Sequence, residues 1–419
     1  MTYRDLDTES VKSYLTERTS LFPKDAVVGA RELGRNETDG DGYVNFLFRV
    51  WDEKTGRSAI VKQAKPYLKV FGEGRVPLAA ERNMIEATIM KLRSAIVPQY
   101  VPALYHTDPD NNLYICEDCG DLAVMRYELT RGRAFPLFPQ QIGEYMAKCN
   151  FYTSELFHEP ETHKELECLF INKHMRALLE DFLFLRESAL DEHVLSVVAL
   201  DPLNKTISNY FRDKRELVIE LLKLRDIFMK KSECLQHGDL HTSNILIGRD
   251  GLKVFDMEYT NMGPYSGDAG YLGGNLVYSY IAWFYRKTGD ERSRGEYRRE
   301  MLRYLRDMVR EYFRVFTECW ERDAKPLFRG ADEYREYLFD NFIREMCGFM
   351  GSQIISRVGG LAELPDFDTL EDPREQYQAR ILALIIAYSL IMNRDKMRSI
   401  DDIIGMTRRL AEQFQTYRA

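Results

Sequence analysis

From residue 43 to residue 52 hydrophobic and polar positions alternate, and a second apolar run follows at 56–64, which predicts two strands. The stretch "YVNFLFRVWD" (43–52) is rich in aromatic and β-branched residues, and "GRSAIVKQA" (56–64) follows a turn containing Lys54, Thr55 and Gly56. Two such runs across a short glycine turn read as a hairpin. The period then lengthens. In "AAERNMIEATIMKLRSA" (79–95), Met84, Ala87 or Thr88, and Lys91 or Leu92 fall at helical spacing. "NLYICEDCG" (112–120) reads as a further strand that ends in a polar turn. The order predicted from 43 to 120 is strand, strand, helix, strand.

Beyond 120 the pattern is helical. "PQQIGEYMAKCNFYTSELF" (139–157) and "KRELVIELLKLRDIFMKKS" (214–232) read as helices. In "EYRREMLRYLRDMVREYFRVFTECW" (296–320), Met301, Leu305, Met308, Tyr312, Phe316 and Cys319 form one apolar face. The most apolar stretches, 271–285 and 381–392, fall short of the roughly 18 residues a membrane span needs and read as buried helices. Two short strands interrupt the helices: "NILIG" (244–248) and "LKVFD" (252–256), around the turn Arg249-Asp250-Gly251. The economical architecture is α+β and two-lobed. A small β-rich lobe (1–119) joins, near 117–121, a larger and mainly helical lobe (120–419).

Composition narrows the partners. A chain of 419 residues, 45% hydrophobic and 30% charged, has ample core material. Its net charge of −8 repels phosphate backbones and argues against nucleic-acid binding. The seven cysteines are scattered and form no disulfide framework, so a reducing cytoplasm is expected. Cys116 and Cys119 make a lone C-x-x-C without a second pair at zinc spacing, and read as a strand end and turn. The N-terminus lacks the apolar segment of a signal peptide.

The candidate chemistry is concentrated in "HGDLHTSNILIGRDGLKVFDMEY" (237–259). Phosphoryl transfer from ATP needs a lid over the phosphates, a cation on them, carboxylates for Mg2+, and a carboxylate near the acceptor hydroxyl. Each has a candidate, in the chain order that protein kinases use. Gly40 and Gly42 open the first strand, where backbone amides can approach phosphates; Asn45 stands where a third glycine is usual. Lys62 ends "AIVK" on the second strand, with Glu86 on the next helix as its expected partner and Glu81 as the second choice. Asp239 is the candidate catalytic base. Asn244, five residues on, together with Asp256 and Glu258, offers the oxygen ligands Mg2+ prefers. His237 and His241 read as loop-shaping hydrogen bonders, and Asp268 as a helix cap or a brace for the loop.

These residues carry a resemblance. "IVKQAKPYLKVFGEG" (60–74), "HGDLHT", "VFDMEYTNMGPYSGDAGYLGGNL" and "SQIISRVGGLAELPDFDTL" (352–370) resemble the lysine strand, catalytic loop, D-x-E metal motif and C-terminal arginine segment of bacterial 5-methylthioribose kinases. That family sits in the aminoglycoside-phosphotransferase and choline-kinase fold group, and the likeness spans roughly residues 20 to 410. It implies a protein-kinase-like fold, ATP and Mg2+ as cofactors, a small sugar-like substrate phosphorylated on its anomeric 1-hydroxyl, and a homodimer. It implies ATP contacts at Asn45 and Lys62, and at the backbone of Glu117, Asp118 and Cys119. It implies substrate contacts at Asp239, Arg357 and Arg374. Three positions depart from the family pattern. Asn244 replaces a small hydroxyl residue, Met257 a proline, and Arg75 a tryptophan near the sugar site. Arg75 is thus a candidate substrate contact that favours a more polar acceptor, and it keeps other pentoses, amino alcohols and aminoglycosides open as acceptors.

Overall fold

The computed structural model describes residues 3–34, 44–69, 72–73, 77–185, 214–358 and 364–418. Backbone contacts divide the chain into two compact units that do not follow a single cut in the sequence. The first holds Met1–Met125, Asn172–Met175 and Ser243–Thr260; the second holds the rest.

The first unit is built on an antiparallel sheet of order β1 (Val28–Glu32), β2 (Phe46–Asp52), β3 (Ser58–Gln63), β5 (Leu113–Glu117), β4 (Leu104–Asp108). The predicted hairpin is present. Strand β2 (Phe46–Asp52) pairs with β3 (Ser58–Gln63), with Leu47 opposite Lys62. Phe48 and Val50 on β2, and Ala59 and Val61 on β3, point to one side, as the two-residue period requires. On that side they meet Leu113 and Ile115 of β5 (Leu113–Glu117). Helix α1 (Ser10–Arg18) adds Val11, Tyr14 and Leu15 to the same core. Asp7 starts this helix by accepting the backbone N–H groups of Glu9 and Ser10 at 3.0 and 2.7 Å. Each buried aliphatic or aromatic side chain here contributes about 1.5–3 kcal/mol, so Leu15→Ala would strip one of the principal contacts of α1.

Two edge strands, β1 (Val28–Glu32) and β4 (Leu104–Asp108), complete the sheet. The second corrects the predicted order, because β4 stands between the helix and β5. Helix α2 (Arg82–Ile96) buries Arg82, Glu86, Ile89, Met90 and Arg93, one face at helical spacing. It stops at Val97, which has left the helical region (φ −140°, ψ 60°) before Pro98, as the residue before a proline is driven to do. A three-stranded sheet, β6 (Ala123–Val124), β8 (Ile245–Ile247) and β9 (Leu252–Val254), belongs to this unit as well.

The second unit is mainly helical, with β7 (Cys234–Gln236) pairing β10 (Asn261–Gly263). At its centre the helix Gly267–Ala282 is buried along its whole length. It packs against the long helices Glu291–Asp323 and Asp332–Val358. Gly270 makes the second approach possible, because a Cβ there would stand 2.6 Å from the Cβ of Phe349. The predicted helix at 296–320 lies within Glu291–Asp323, and 381–392 lies within Pro373–Asn393. No helix among the described residues is long and apolar enough to cross a membrane.

Candidate active site

In the sheet unit, Lys62 is the penultimate residue of β3, with its side chain buried. It pairs with Glu86 Oε2 at 2.7 Å and with Asp256 Oδ1. Burial alone would lower its proton affinity. Asp256 first, then Glu86 and Glu258, overcome this and hold it above the ordinary lysine value. Glu86 is the helix partner, while Glu81 is exposed at the start of α2. Glu86 Oε1 also accepts the N–H of Met257 at 3.0 Å. Burial pushes the Glu86 carboxyl up, against the pull of Lys62.

Asp256 has φ +61°, a left-handed backbone that a non-glycine residue adopts at a cost of about 1–2 kcal/mol. The segment around it is fixed from several sides. Glu86 holds Met257, and Asn172 Nδ2 donates to the carbonyls of Glu258 and Thr260 at 2.8 and 2.9 Å. Glu258 is fully buried. Its Oε2 accepts from Asn45 Nδ2 at 2.7 Å and pairs with Arg82 Nε at 3.2 Å. Burial raises its carboxyl to about 7, and Asp256 adds to the rise.

Carboxylate oxygens of Glu86, Asp256 and Glu258 lie within 4.8 Å of one another. Glu258 Oε1 is buried and has no hydrogen-bond partner among the described residues, and the Asp256 side chain is one-third exposed. An open buried oxygen beside a reachable carboxylate fits a hard divalent cation, which takes oxygen donors and keeps several waters. Asn244 is buried in the same unit, and its carbonyl accepts the N–H of Phe255 at 3.2 Å. At the end of β5, the Glu117 carboxylate pairs with Lys253 at 3.2 Å, and Asp118 pairs with Arg49 at 2.6 Å. Both side chains are thereby committed to the protein. The half-buried Cys119 follows, and burial raises its thiol to about 12.

In the helical unit, Asp239 follows β7 on a turn at Gly238, which has φ +84°. Asp268, in the first turn of the central helix, accepts the N–H of His237 at 2.7 Å and of Gly238 at 3.0 Å. The carboxylate braces the loop. His237 Nδ1 accepts the N–H of Asp239 at 3.3 Å, His241 Nε2 lies 3.4 Å from Asp239 Oδ2, and Arg357 Nη2 lies 3.4 Å from Oδ1. Burial would raise the Asp239 carboxyl. His241, then Arg357 and His237, outweigh it and hold the group well below the usual carboxylate range. A fixed, ionised carboxylate beside a guanidinium can orient a hydroxyl and accept its proton.

The structure thus brings Asn45, Lys62, Glu86, Asp256 and Glu258 together, and separately Asp239 with Arg357. Arg374 is exposed at the start of Pro373–Asn393, where its N–H donates to Asp372 at 2.8 Å, and none of its described contacts is to Asp239 or Arg357. Gly40, Gly42 and Arg75 lie outside the described residues. Sequence reasoning missed Arg82 and Asn83. Asn83 Nδ2 holds the carbonyls of Lys62 and Asn112, each at 2.8 Å. The available signal was that Arg82 stands four residues before Glu86, on the same helix face.

No family model matches the chain. A methylthioribose kinase of Geobacillus sp. (strain WCH70) is 33% identical over 398 residues, covering 94% of each chain. That of Geobacillus kaustophilus (strain HTA426) is 31% identical over 396 residues, again 94% of each, and that of Bacillus pumilus (strain SAFR-032) is 27% identical over 415 residues. Among solved structures, an ethanolamine kinase of Plasmodium vivax is 13% identical with a TM-score of 0.46, covering 91% of this chain and 95% of that one. Identity at this level over nearly the full length leaves one conclusion: the chain belongs to the methylthioribose kinase family.

Proposed function

We propose that this chain transfers the γ-phosphoryl group of ATP to the anomeric 1-hydroxyl of 5-methylthioribose, a step of methionine salvage. The observation that carries the kinase reading is the buried Lys62 held between Glu86 and Asp256. The relatives named methylthioribose kinase support the acceptor. Lys62 and Asn45 bind the phosphates of ATP, and the backbone from Glu117 to Cys119 takes the adenine. Asp256, Glu258 and Asn244 hold Mg2+, which neutralises phosphate charge in the transition state. Arg357, with Arg374 and Arg75, contacts the substrate.

In the reaction the acceptor O–H proton passes to Asp239, the new O–P bond forms, and the bond from Pγ to the bridging oxygen breaks to release ADP. Asp239 is held well below the usual range, so it is a weak base. It orients the hydroxyl first and takes the proton late, as a loose phosphoryl transition state allows. The seven free thiols support a reducing cytoplasm, and the family resemblance carries the homodimer.

The test is ADP release by purified protein with Mg2+ and ATP, across a panel of 5-methylthioribose, 5-deoxyribose, an amino alcohol and an aminoglycoside. The thiosugar should give the highest kcat/KM. A folded protein that releases ADP faster with another acceptor overturns the assignment of acceptor; one that releases none with any acceptor overturns the kinase reading.

A further inference from the structure

Helix α2 addresses the segment Asp256–Glu258 at three points. Glu86 takes Lys62, which also pairs with Asp256, and its other oxygen accepts the N–H of Met257. Arg82, one helical turn earlier on the same face, reaches Glu258. The role of Glu86 belongs to the kinase site already described. Arg82 has none so far.

Its side chain is 1% exposed. Nε lies 3.1 Å from Asn45 Oδ1 and 3.2 Å from Glu258 Oε2, and Nη2 donates to Asn45 Oδ1 at 2.7 Å. Nη1 donates to the carbonyls of Lys65 and Ala79 at 3.0 and 2.8 Å. The carbonyl bonds fix where the fork stands. Nε and Nη2 of the fork donate to Asn45 Oδ1, and Nε also stands 3.2 Å from Glu258 Oε2, the oxygen to which Asn45 Nδ2 donates. The other oxygen, Oε1, is buried and without a hydrogen bond among the described residues. A carboxylate pinned through one oxygen offers the second in a fixed place, and partners of this kind orient ligands around a metal.

We propose that Arg82 is a positioning residue for the divalent cation: by holding Oε2 it presents Oε1 of Glu258 to the metal, and it ties Asn45 to that same carboxylate. This rests on the reading of Glu258 as a metal ligand, and the experiment separates the two. The full chain is prepared as R82M, R82K, E258Q and R82M/E258Q. Two quantities are measured: Mn2+ binding by electron paramagnetic resonance with a non-hydrolysable ATP analogue, and the Mg2+ concentration that half-saturates kcat.

R82M should weaken metal binding about tenfold, the lower end for loss of a ligand's supporting partner. R82K keeps the charge but not the fork and should fall between R82M and the parent. If Arg82 acts through Glu258, the double variant binds metal no more weakly than E258Q alone. A folded R82M with parental metal binding, beside a weakened E258Q, overturns the role of Arg82 and leaves the metal site standing. So does a double variant whose loss is the product of the two single losses. Parental binding in E258Q removes Glu258 as a ligand and the proposal with it. Should R82M fail to fold, R82Q is read in its place.

Discussion

The brace between Asp268 and the loop that carries Asp239 allows a worked prediction. The carboxylate accepts two buried N–H groups, from His237 at 2.7 Å and Gly238 at 3.0 Å. Hydrogen bonds to a charged group contribute about 1.5–3 kcal/mol each, and an acid in the first turn of a helix adds about 0.3–1 kcal/mol. Asp268→Asn keeps one acceptor of nearly the same shape. It loses one bond and the charge, so the expected destabilisation is about 2–4 kcal/mol. Asp268→Ala loses both bonds and the charge and should cost about 3–7 kcal/mol. The catalytic effect is separable. Gly238 sits in the left-handed region one residue before Asp239, so release of its N–H lets the turn shift. A displacement of about 1 Å at a reacting group costs on the order of 10²-fold in rate. Urea unfolding followed by circular dichroism gives the first quantity, and steady-state kinetics the second. KM for ATP should stay near the parental value while kcat falls. An Asp268→Asn protein with the parental urea midpoint and kcat within about twofold of the parent would refute the reasoning.

Asp239→Asn should cut kcat by about 10²–10⁴-fold and spare ATP affinity, measured by calorimetry, because the carboxylate acts on the acceptor. Its folded-state proton affinity is depressed, so its contribution to stability is present above about pH 4 and is lost as pH falls through the folded value; the variant should lack that part of the acid unfolding limb. Glu258 has the opposite sign. Burial raises it from 4.5 to about 7, so its contribution is full below about pH 4.5 and is lost as pH rises through 7. In metal-free buffer the stability of Glu258→Gln relative to the parent should therefore rise between pH 5 and pH 8, in urea titrations run at both values. Equal stability differences at the two pH values would contradict it.

The parts of the fold legible in the sequence are those with water on one side and a full apolar stripe on the other. Strands β2 and β3 show it as alternation, and Glu291–Asp323 as a helical period. The edge strands β1 and β4 were not legible. "VGARE" and "LYHTD" have few fully buried positions, because an edge strand has one neighbour and much of it stays wet. Lys62, Glu86 and Asp256 could be named because each bears a charge at a motif position, and the two carboxylates do meet the lysine. Arg82 could not. Its function depends on a residue 176 positions away, Glu258, and no local period encodes that distance. Asn45 was expected at ATP through the family likeness, but its bonds to Arg82 and Glu258 follow only from the folded chain.

The division of the stretch 235–259 between two compact units has a consequence for how the protein is made. The sheet unit closes only when Ser243–Thr260 join residues up to Met125. At a synthesis rate of about 5–20 residues per second, that segment follows Met125 by roughly ten seconds. Through this interval the nascent sheet contains Lys62 and Glu86 but lacks Asp256, and β6 lacks β8. An N-terminal fragment ending at Met125 would be left in the same state, with an unpaired strand and a lysine missing one of its counter-charges. The sheet unit is thus completed from its own distant downstream sequence, and a chain shorter than about 260 residues cannot form it in full.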